Sequence, residues 1–473
     1  MSFKKNFFKN ISTYAVYSYA SQGLEFLSTI ILSRLLLPGE YGLVAIIVIF
    51  SGFIQIFSTL GIGSSIIRSD YGYTFHKHLF SLAVWLGFAL TIILMLLSWP
   101  ISFFFDNNLL ILPTILISFK FFSDSFTYVP YALLSKRMQF NAIGMGRLLR
   151  AVFQIGFTIL LAFAGFSYWS LVIPLIFGPF LEYLYYRNKV EVKFRLYGWR
   201  ATMRIAWKIR SLMGNLSLNN LINYWAGNVD KVVIGKLYTD ADLGLYNRAF
   251  RFISMTNRLI VKIFGTVLFP SLKNLLNEKG NAQKEYLDIL RIITLFNIPV
   301  MALLVLLPDT LVFYLWGEDW MGVAGFLPYV GIILIYNSMV ATMGSLYLLF
   351  EKEKYLLLSN FIRSTITIAI IIIAGFFSMM HIIKFITLSY ILVTIPINMY
   401  FGFYKSFGYN VKEILVFWLP FIFFGLVLFL MIYLEFYFFQ WILMLLFLII
   451  LFYPMKGYWM SSLKYVRKKF LIK

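Results

Sequence analysis

The stretch SRLLLPGEYGLVA (Ser33–Ala45) has a counterpart in GKLYTDADLGLYN (Gly235–Asn247). Each contains a basic residue, a leucine and, after four more residues, an acid-x-Gly-Leu element. The aligned pairs share one offset of 202 residues: Arg34 with Lys236, Glu40 with Asp242 and Gly42 with Gly244. An acidic side chain near a helix start caps the helix, and a glycine helps the chain to turn. The repeat therefore predicts two similar halves, each opened by the same hairpin.

The composition is that of a membrane protein. Of the 473 residues, 61% are apolar, 20% are aromatic and only 13% are charged, against about 25% charged residues in soluble domains. There is no cysteine, which excludes disulfides, thiolate metal sites and cysteine nucleophiles. His76 and His78 are expected in a loop and predict no metal site. We expect neither a metal ion nor a cofactor nor catalytic residues.

A membrane-spanning helix needs about 20 predominantly apolar residues, and the chain offers fourteen such segments. Their approximate limits are 12–32, 42–66, 79–99, 109–133, 148–166, 168–186, 212–234, 243–268, 289–307, 323–349, 356–375, 382–402, 415–434 and 436–454. The fifth and sixth spans, like the last two, form tight hairpins. The sequence therefore predicts a chain that crosses the membrane repeatedly.

The 41 lysines and arginines are distributed unequally over the segments between the spans. With the N-terminus inside, 30 fall in inside segments and 3 in outside loops, namely Arg34, Lys236 and Lys384. Cytoplasmic loops of membrane proteins are enriched in such residues, so both termini are predicted to be cytoplasmic. The formal charge of +21 then reflects topology and contact with anionic lipid, and no nucleic acid is expected as a partner.

Both copies of the repeated motif fall in predicted external loops that are six spans apart. An even number of spans gives the two halves one orientation, and such parallel repeats are a transporter architecture. The predicted fold is an all-α membrane protein of about 14 transmembrane helices, with two six-helix lobes around a central cavity. The predicted division is an N-terminal lobe 1–186, a basic cytoplasmic linker 187–211, a C-terminal lobe 212–402, and 403–473 with the last two helices and a basic tail.

Polar side chains concentrate on one face of the first two spans in each half, counted at about 100° per residue. The candidates on spans 1, 2 and 7 are Ser21, Glu25, Gln55, Asn219, Asn223 and Asp230. The candidates on span 8 are cations: Arg248, Arg251, Arg258 and Lys262. A cation facing lipid costs about 2.5–3.5 kcal/mol at the centre of a span. The four cations are therefore predicted to face a wet cavity and an anionic ligand.

Internal roles are the alternative for several of these charges. The cations of span 8 could form salt bridges within the protein, and Glu25 either neutralises one of them or takes part in ion coupling. Asp230 could be an interfacial residue. Lys120 and Asp124 stand four residues apart on one span, a spacing that predicts a structural ion pair.

Three segments carry a resemblance to a known family: RLLLPGEYGL (Arg34–Leu43), LLSKRMQF (Leu133–Phe140) and VDKVVIGKLYTDADLGLYNRAFRF (Val229–Phe252). The chain resembles the Wzx-type polysaccharide flippases of the multidrug/oligosaccharidyl-lipid/polysaccharide exporter superfamily. The resemblance implies two six-helix bundles that form a V, with two additional C-terminal helices. It also implies a cargo, an undecaprenyl-pyrophosphate-linked oligosaccharide carried to the outer leaflet of the bacterial cytoplasmic membrane.

The predicted function is thus a transporter rather than an enzyme. We expect the pyrophosphate or an acidic sugar to meet the cations of span 8, and the polar groups of spans 1, 2 and 7 to bind sugars. No nucleotide-binding motif is present, and proton or sodium coupling is left open. Glycosyltransferases and a glycan polymerase are expected as functional neighbours. The alternatives are a multidrug antiporter of the same superfamily and a membrane-embedded glycan polymerase or ligase.

Overall fold

The computed structural model describes residues 3–58, 62–68, 72–190, 195–200, 227–258, 281–436 and 439–447, with isolated positions between them. These residues form helices and turns, and no strand occurs in the part of the chain that is described. Nine of the described helical segments are long and apolar enough to cross a membrane. The all-α membrane fold is therefore confirmed, and the number of fourteen spans stays a prediction.

The helices are named in chain order. They are α1 Phe3–Ser33, α2 Pro38–Ser58, α3 Ile62–Arg68, α4 Tyr73–Phe105, α5 Ile111–Lys136, α6 Phe140–Phe163, α7 Trp169–Arg187, α8 Val229–Leu237, α9 Asp240–Thr256, α10 Ala282–Leu306, α11 Pro308–Leu315, α12 Leu327–Ala341, α13 Met343–Leu349, α14 Glu353–Gly375, α15 Met379–Ser389, α16 Ile395–Asn398 and α17 Val411–Tyr433. The segments Asn108–Leu110 and Glu318–Val323 are 3₁₀ helices, and Tyr390–Thr394 and Met399–Ser406 are π-helical.

One helix begins well before the limit predicted by hydropathy. The fifth span, predicted to begin at 148, begins eight residues earlier at Phe140, so Arg147 and Arg150 both lie within α6. The tight hairpin between the fifth and sixth spans is present, because only the turn 164–168 separates α6 from α7.

The chain divides into two compact units, one of Met1–Asn247 with Leu315–Trp320 and one of Arg248–Tyr314 with Met321–Lys473. In the first unit, small residues let neighbouring helices approach closely, as is common in membrane bundles. A Cβ built on Gly87 of α4 would lie 2.7 Å from the Phe121 carbonyl oxygen of α5. Gly144 and Gly146 of α6 similarly pack against tyrosine rings of α1 and α7.

The second unit holds its helices together with buried and half-buried polar side chains. The Tyr286 hydroxyl of α10 pairs with the Thr342 hydroxyl at 3.1 Å. The amide of Asn257 donates to Asn337 of α12 at 2.5 Å, and Asn337 donates in turn to the Tyr390 hydroxyl at 2.9 Å. Hydrogen bonds of this kind join helices where lipid offers no polar partner.

Candidate substrate-binding site

The predicted basic stripe falls on α9 and on the turn that follows it. Arg248 is buried, with 3% of its surface exposed. Arg251, one turn further, is exposed, and so is Arg258 in a short π-helical turn after α9. Lys262, the fourth member, lies outside the described residues. The two exposed arginines carry positive charge on a helix that sequence predicts to be a span, and their contact with substrate stays a prediction.

The polar residues predicted on span 7 are only partly within the described residues. Asn219 and Asn223 lie outside them. Asp230 lies in the first turn of α8, where its carboxylate accepts a hydrogen bond of 2.5 Å from the hydroxyl of Tyr246, a fully buried residue of α9. Asp230 therefore joins α8 to α9.

The candidates on α1 and α2 are half-buried and differ in their partners. The Ser21 hydroxyl donates to the Tyr17 carbonyl at 2.9 Å, within its own helix. Glu25 is half-buried on the same helix. Gln55 of α2 reaches α5, because its amide donates to the hydroxyls of Ser58 at 2.7 Å and Tyr128 at 2.6 Å. Gln55 thus connects α2 to α5.

A buried group of three charges in the first unit was missed by sequence reasoning. One guanidinium nitrogen of Arg150 on α6 lies 3.0 Å from a carboxylate oxygen of Asp124 on α5 and 3.0 Å from one of Glu182 on α7. Asp124 thus forms a salt bridge with Arg150, and the structural ion pair between Lys120 and Asp124 stays a prediction. The sequence signal for this group was Glu182, an acid within the apolar run of α7, since a carboxylate inside a membrane span needs a charged or polar partner.

The two copies of the repeated motif contact each other, at a crossing that we call the repeat clasp. It comprises the first turns of α2 and α9, all within the first unit. A Cβ built on Gly42 would lie 1.7 Å from the Asp240 carbonyl oxygen, and one built on Gly244 would lie 1.9 Å from the Pro38 carbonyl oxygen. Because Pro38 and Asp240 are themselves 202 residues apart, the contact is reciprocal and defines a local twofold axis.

The basic residues of the motif extend the same symmetry. The Lys236 ammonium lies 2.5 Å from the carboxylate of Asp106, which caps α4 in the left-handed conformation with φ 53°. Arg34 lies against Gly317, also left-handed with φ 94°, and its guanidinium is 3.0 Å from a Cβ built there. Each copy thus places its cation on a left-handed turn that precedes a 3₁₀ helix.

A cavity of about 600 Å³ lies beside the repeat clasp and is lined by leucines and by the carboxylates of Glu40, Asp240 and Asp319. One of these acids is Asp240, which accepts a hydrogen bond of 2.8 Å from the Asn107 amide. Burial raises the pKa of Asp240, and the hydrogen bond from Asn107 opposes that shift.

The described residues contain no cluster of three or more His, Asp or Glu side chains that could hold a metal ion. His76 and His78, expected in a loop, lie instead in the first turns of α4. His76 is buried, and the ring of His78 packs against that of Tyr197 with centroids 4.3 Å apart and a tilt of 30°.

Comparisons with known proteins agree with this fold. Residues 31–324 match the family described as polysaccharide biosynthesis protein. The lipopolysaccharide biosynthesis protein WzxC of Escherichia coli (strain K12) is 25% identical over 419 residues, which cover 84% of this chain and 81% of that relative. These matches confirm the resemblance inferred from the three motif segments.

Two solved structures share the fold. The lipid II flippase MurJ in an inward closed conformation aligns with a TM-score of 0.69 at 16% identity, covering 97% of this chain and 99% of that one. An inward-facing multidrug resistance transporter of the MATE family aligns with a TM-score of 0.63 at 15% identity, covering 82% and 96%. Both are transporters, in line with the prediction that the chain is not an enzyme.

Proposed function

Because the chain belongs to the polysaccharide biosynthesis protein family, we propose that it is a flippase that moves a lipid-linked oligosaccharide across a membrane for surface polysaccharide synthesis. The proposed cargo is an undecaprenyl-pyrophosphate-linked glycan. The proposed site is the bacterial cytoplasmic membrane, with both termini in the cytoplasm, as the 30 to 3 distribution of cations supports.

The exposed arginines of the basic stripe carry this proposal. Arg251 and Arg258 are exposed on a helix that sequence predicts to be a span, and two cations facing hydrocarbon would cost about 5–7 kcal/mol on the insertion scale. Water and an anion are the favourable surroundings for such groups. The planar guanidinium matches phosphate oxygens in two-point hydrogen bonds, so a pyrophosphate is the proposed partner.

The repeat clasp supports a mechanism of alternating access. In the proposed cycle the two predicted lobes rock about the cargo and open to each side in turn. The repeat clasp, placed by sequence on the external side, would close that side while cargo loads from the cytoplasm. Release of the repeat clasp would then open the path to the outer leaflet.

The test is transport of a fluorescent lipid-linked oligosaccharide by the full chain in proteoliposomes. The double variant Arg251→Ala/Arg258→Ala should lower the transport rate at least about tenfold, since one hydrogen bond to a charged group contributes about 1.5–3 kcal/mol. The control Arg187→Ala/Lys189→Ala removes the same charge from exposed positions just after the predicted sixth span and should stay near the unchanged chain. Equal rates in both double variants would refute the proposed cargo contact.

A multidrug antiporter is the second candidate, because a MATE transporter shares the fold. A carrier of cationic drugs needs acidic groups along its path, whereas the exposed charges of the stripe are arginines. Efflux of a cationic dye from cells that express the chain distinguishes the two. Dye efflux without movement of the lipid-linked glycan would favour the antiporter.

A further inference from the structure

Arg147, an exposed arginine of the first unit, has surroundings that differ from those of Arg150 on the same helix. Arg147 and Arg150 stand one turn apart on α6. Arg150 is held by two carboxylates at 3.0 Å. Arg147 is exposed and forms no salt bridge with any described residue. Arg150 already neutralises the buried carboxylates of Asp124 and Glu182. Arg147 therefore remains available to a ligand.

Two tyrosines hold Arg147 in place. The centre of its guanidinium lies 5.8 Å from the centroid of the Tyr14 ring of α1 and 5.2 Å from that of the Tyr131 ring of α5. One guanidinium nitrogen donates a hydrogen bond to the Tyr14 hydroxyl. Contacts with aromatic faces orient a guanidinium without neutralising it. Arg147 is therefore a positioned cation with donors left over.

The local packing of α6 keeps this arrangement close to two other helices. Gly144 lies against the Tyr17 ring of α1, and Gly146 lies against the Tyr186 ring of α7, where a built Cβ would come within 2.6 Å and 2.3 Å of ring carbons. The Tyr186 hydroxyl donates to the Ile143 carbonyl at 3.0 Å. Arg147 thus extends from a backbone that both neighbours fix, which reduces the entropy lost when a ligand binds.

The position of Arg147 along the helix suits a loading site. It stands seven residues from the start of α6, or about 10 Å at 1.5 Å per residue. That end of α6 follows Lys136 and Arg137, and the topology predicted from the sequence places it on the cytoplasmic side. The added positive charge raises the local concentration of anions.

We propose that Arg147, with Tyr14 and Tyr131, forms a phosphate-binding subsite that receives the headgroup of the lipid-linked cargo on its way into the protein. This proposal rests on the proposed function for the identity of the cargo. The guanidinium binds phosphate oxygens with its free donors. The tyrosine rings offer flat apolar faces on which the first sugar ring packs. All three side chains of this subsite belong to the first unit.

The test measures binding, not transport, on the full chain in nanodiscs. Farnesyl pyrophosphate serves as a soluble prenyl pyrophosphate probe, and inorganic pyrophosphate serves as the probe without lipid. Arg147→Gln should weaken binding of the prenyl probe about 10- to 100-fold, the effect of losing a charge-assisted contact. The control Arg187→Gln removes an exposed arginine at the end of α7 and should bind as the unchanged chain does.

Two further variants separate binding from folding. Arg147→Lys keeps the charge and the length of the side chain but loses the planar fork, so its affinity should also fall while its thermal unfolding midpoint is retained. Tyr14→Phe keeps the ring and loses the hydroxyl, and a smaller loss is expected. Unchanged affinity for the prenyl probe in Arg147→Lys and Arg147→Gln would overturn the proposal.

The two probes identify the source of the phosphate. Tighter binding of farnesyl pyrophosphate than of inorganic pyrophosphate, both sensitive to Arg147→Gln, supports a lipid headgroup. Equal binding of the two would identify a soluble phosphate ligand and overturn the assignment to a lipid. Binding that depends on Arg147 in a chain that moves no glycan would refute the flippase function and leave the subsite standing.

Discussion

Adding one methyl group at the glycines of the repeat clasp should loosen it. A built Cβ on Gly42 lies 1.7 Å from the Asp240 carbonyl oxygen, and a real Cβ essentially never comes closer than 3.0 Å. In Gly42→Ala the two chains must therefore separate locally by at least about 1.3 Å, the difference between those distances. In Gly244→Ala the corresponding separation from the Pro38 carbonyl is about 1.1 Å. Backbone atoms cannot rotate away as a side chain could.

The expected free-energy change follows from overpacking. Forcing an extra methyl group into a close contact costs about 1–3 kcal/mol, which lowers the ratio of closed to open clasp about five- to 150-fold. The local twofold axis adds a constraint. One separation of α2 from α9 relieves both clashes, so Gly42→Ala/Gly244→Ala should cost less than the sum of the single variants.

A disulfide across the twofold axis reports the state of the clasp. A Cβ built on Gly39 lies 3.9 Å from the Ala241 backbone nitrogen, so the two positions are close together in the clasp. The chain has no cysteine, so Gly39→Cys/Ala241→Cys provides the only thiol pair. We expect rapid oxidation in the unchanged background, slower oxidation with either alanine, and a block of transport that a reductant reverses.

The control is Gly156→Ala, a glycine within α6 whose built Cβ meets nothing within 4 Å. It tests whether replacing a helical glycine, by itself, alters the oxidation rate. The reasoning is refuted if Gly42→Ala and Gly244→Ala oxidise the reporter pair at the same rate as Gly156→Ala, with all three proteins folded.

Three further results are expected. Lys236→Gln should slow the same oxidation only slightly, since its exposed ion pair with Asp106 contributes about 0–1 kcal/mol, and a large loss would contradict this. Arg150→Met should lower the unfolding midpoint strongly, because it leaves two buried carboxylates at a cost of about 3–5 kcal/mol, and adding Glu182→Gln should recover part of that loss. The raised pKa of Asp240 means that the closed clasp binds a proton more readily than an open one with the ordinary pKa. The closed clasp is thus stabilised by this proton at acidic pH, and the stabilisation is lost as pH rises through the raised pKa. Spin-label distances across the clasp should show this pH dependence, and the variant Asp240→Asn should lack it.

The repeat was predictable from the sequence, but its geometry was not. The offset of 202 residues follows from residue types alone. Sequence similarity between two segments does not show whether they are in contact. Two similar halves of a protein can place their equivalent segments far apart. The glycine at the third place of each acid-x-Gly element was predicted to help a turn. In the structure Gly42 and Gly244 instead permit a close crossing.

The charges of α6 show a different limit. Hydropathy placed the start of this span at 148, because Arg147 and Arg150 lower the apolar average of any window that contains them. The structure begins the helix at Phe140, and within that helix Asp124 and Glu182 from other helices neutralise Arg150. Such partners are 26 and 32 residues away in the chain, so a local average cannot detect them.

The distribution of charge indicates where the first unit can open. The contact at the centre of the repeat clasp is between glycines and backbone, and its ion pair, Lys236 with Asp106, is exposed, with 36% and 77% of the side chains accessible. Separating these groups leaves no charge buried without a partner. The guanidinium of Arg150 is different, because it is shared by carboxylates that are only 7% exposed, and pulling those helices apart would strand charges in an apolar interior. Movement is therefore expected at the clasp, while α5, α6 and α7 move as one body.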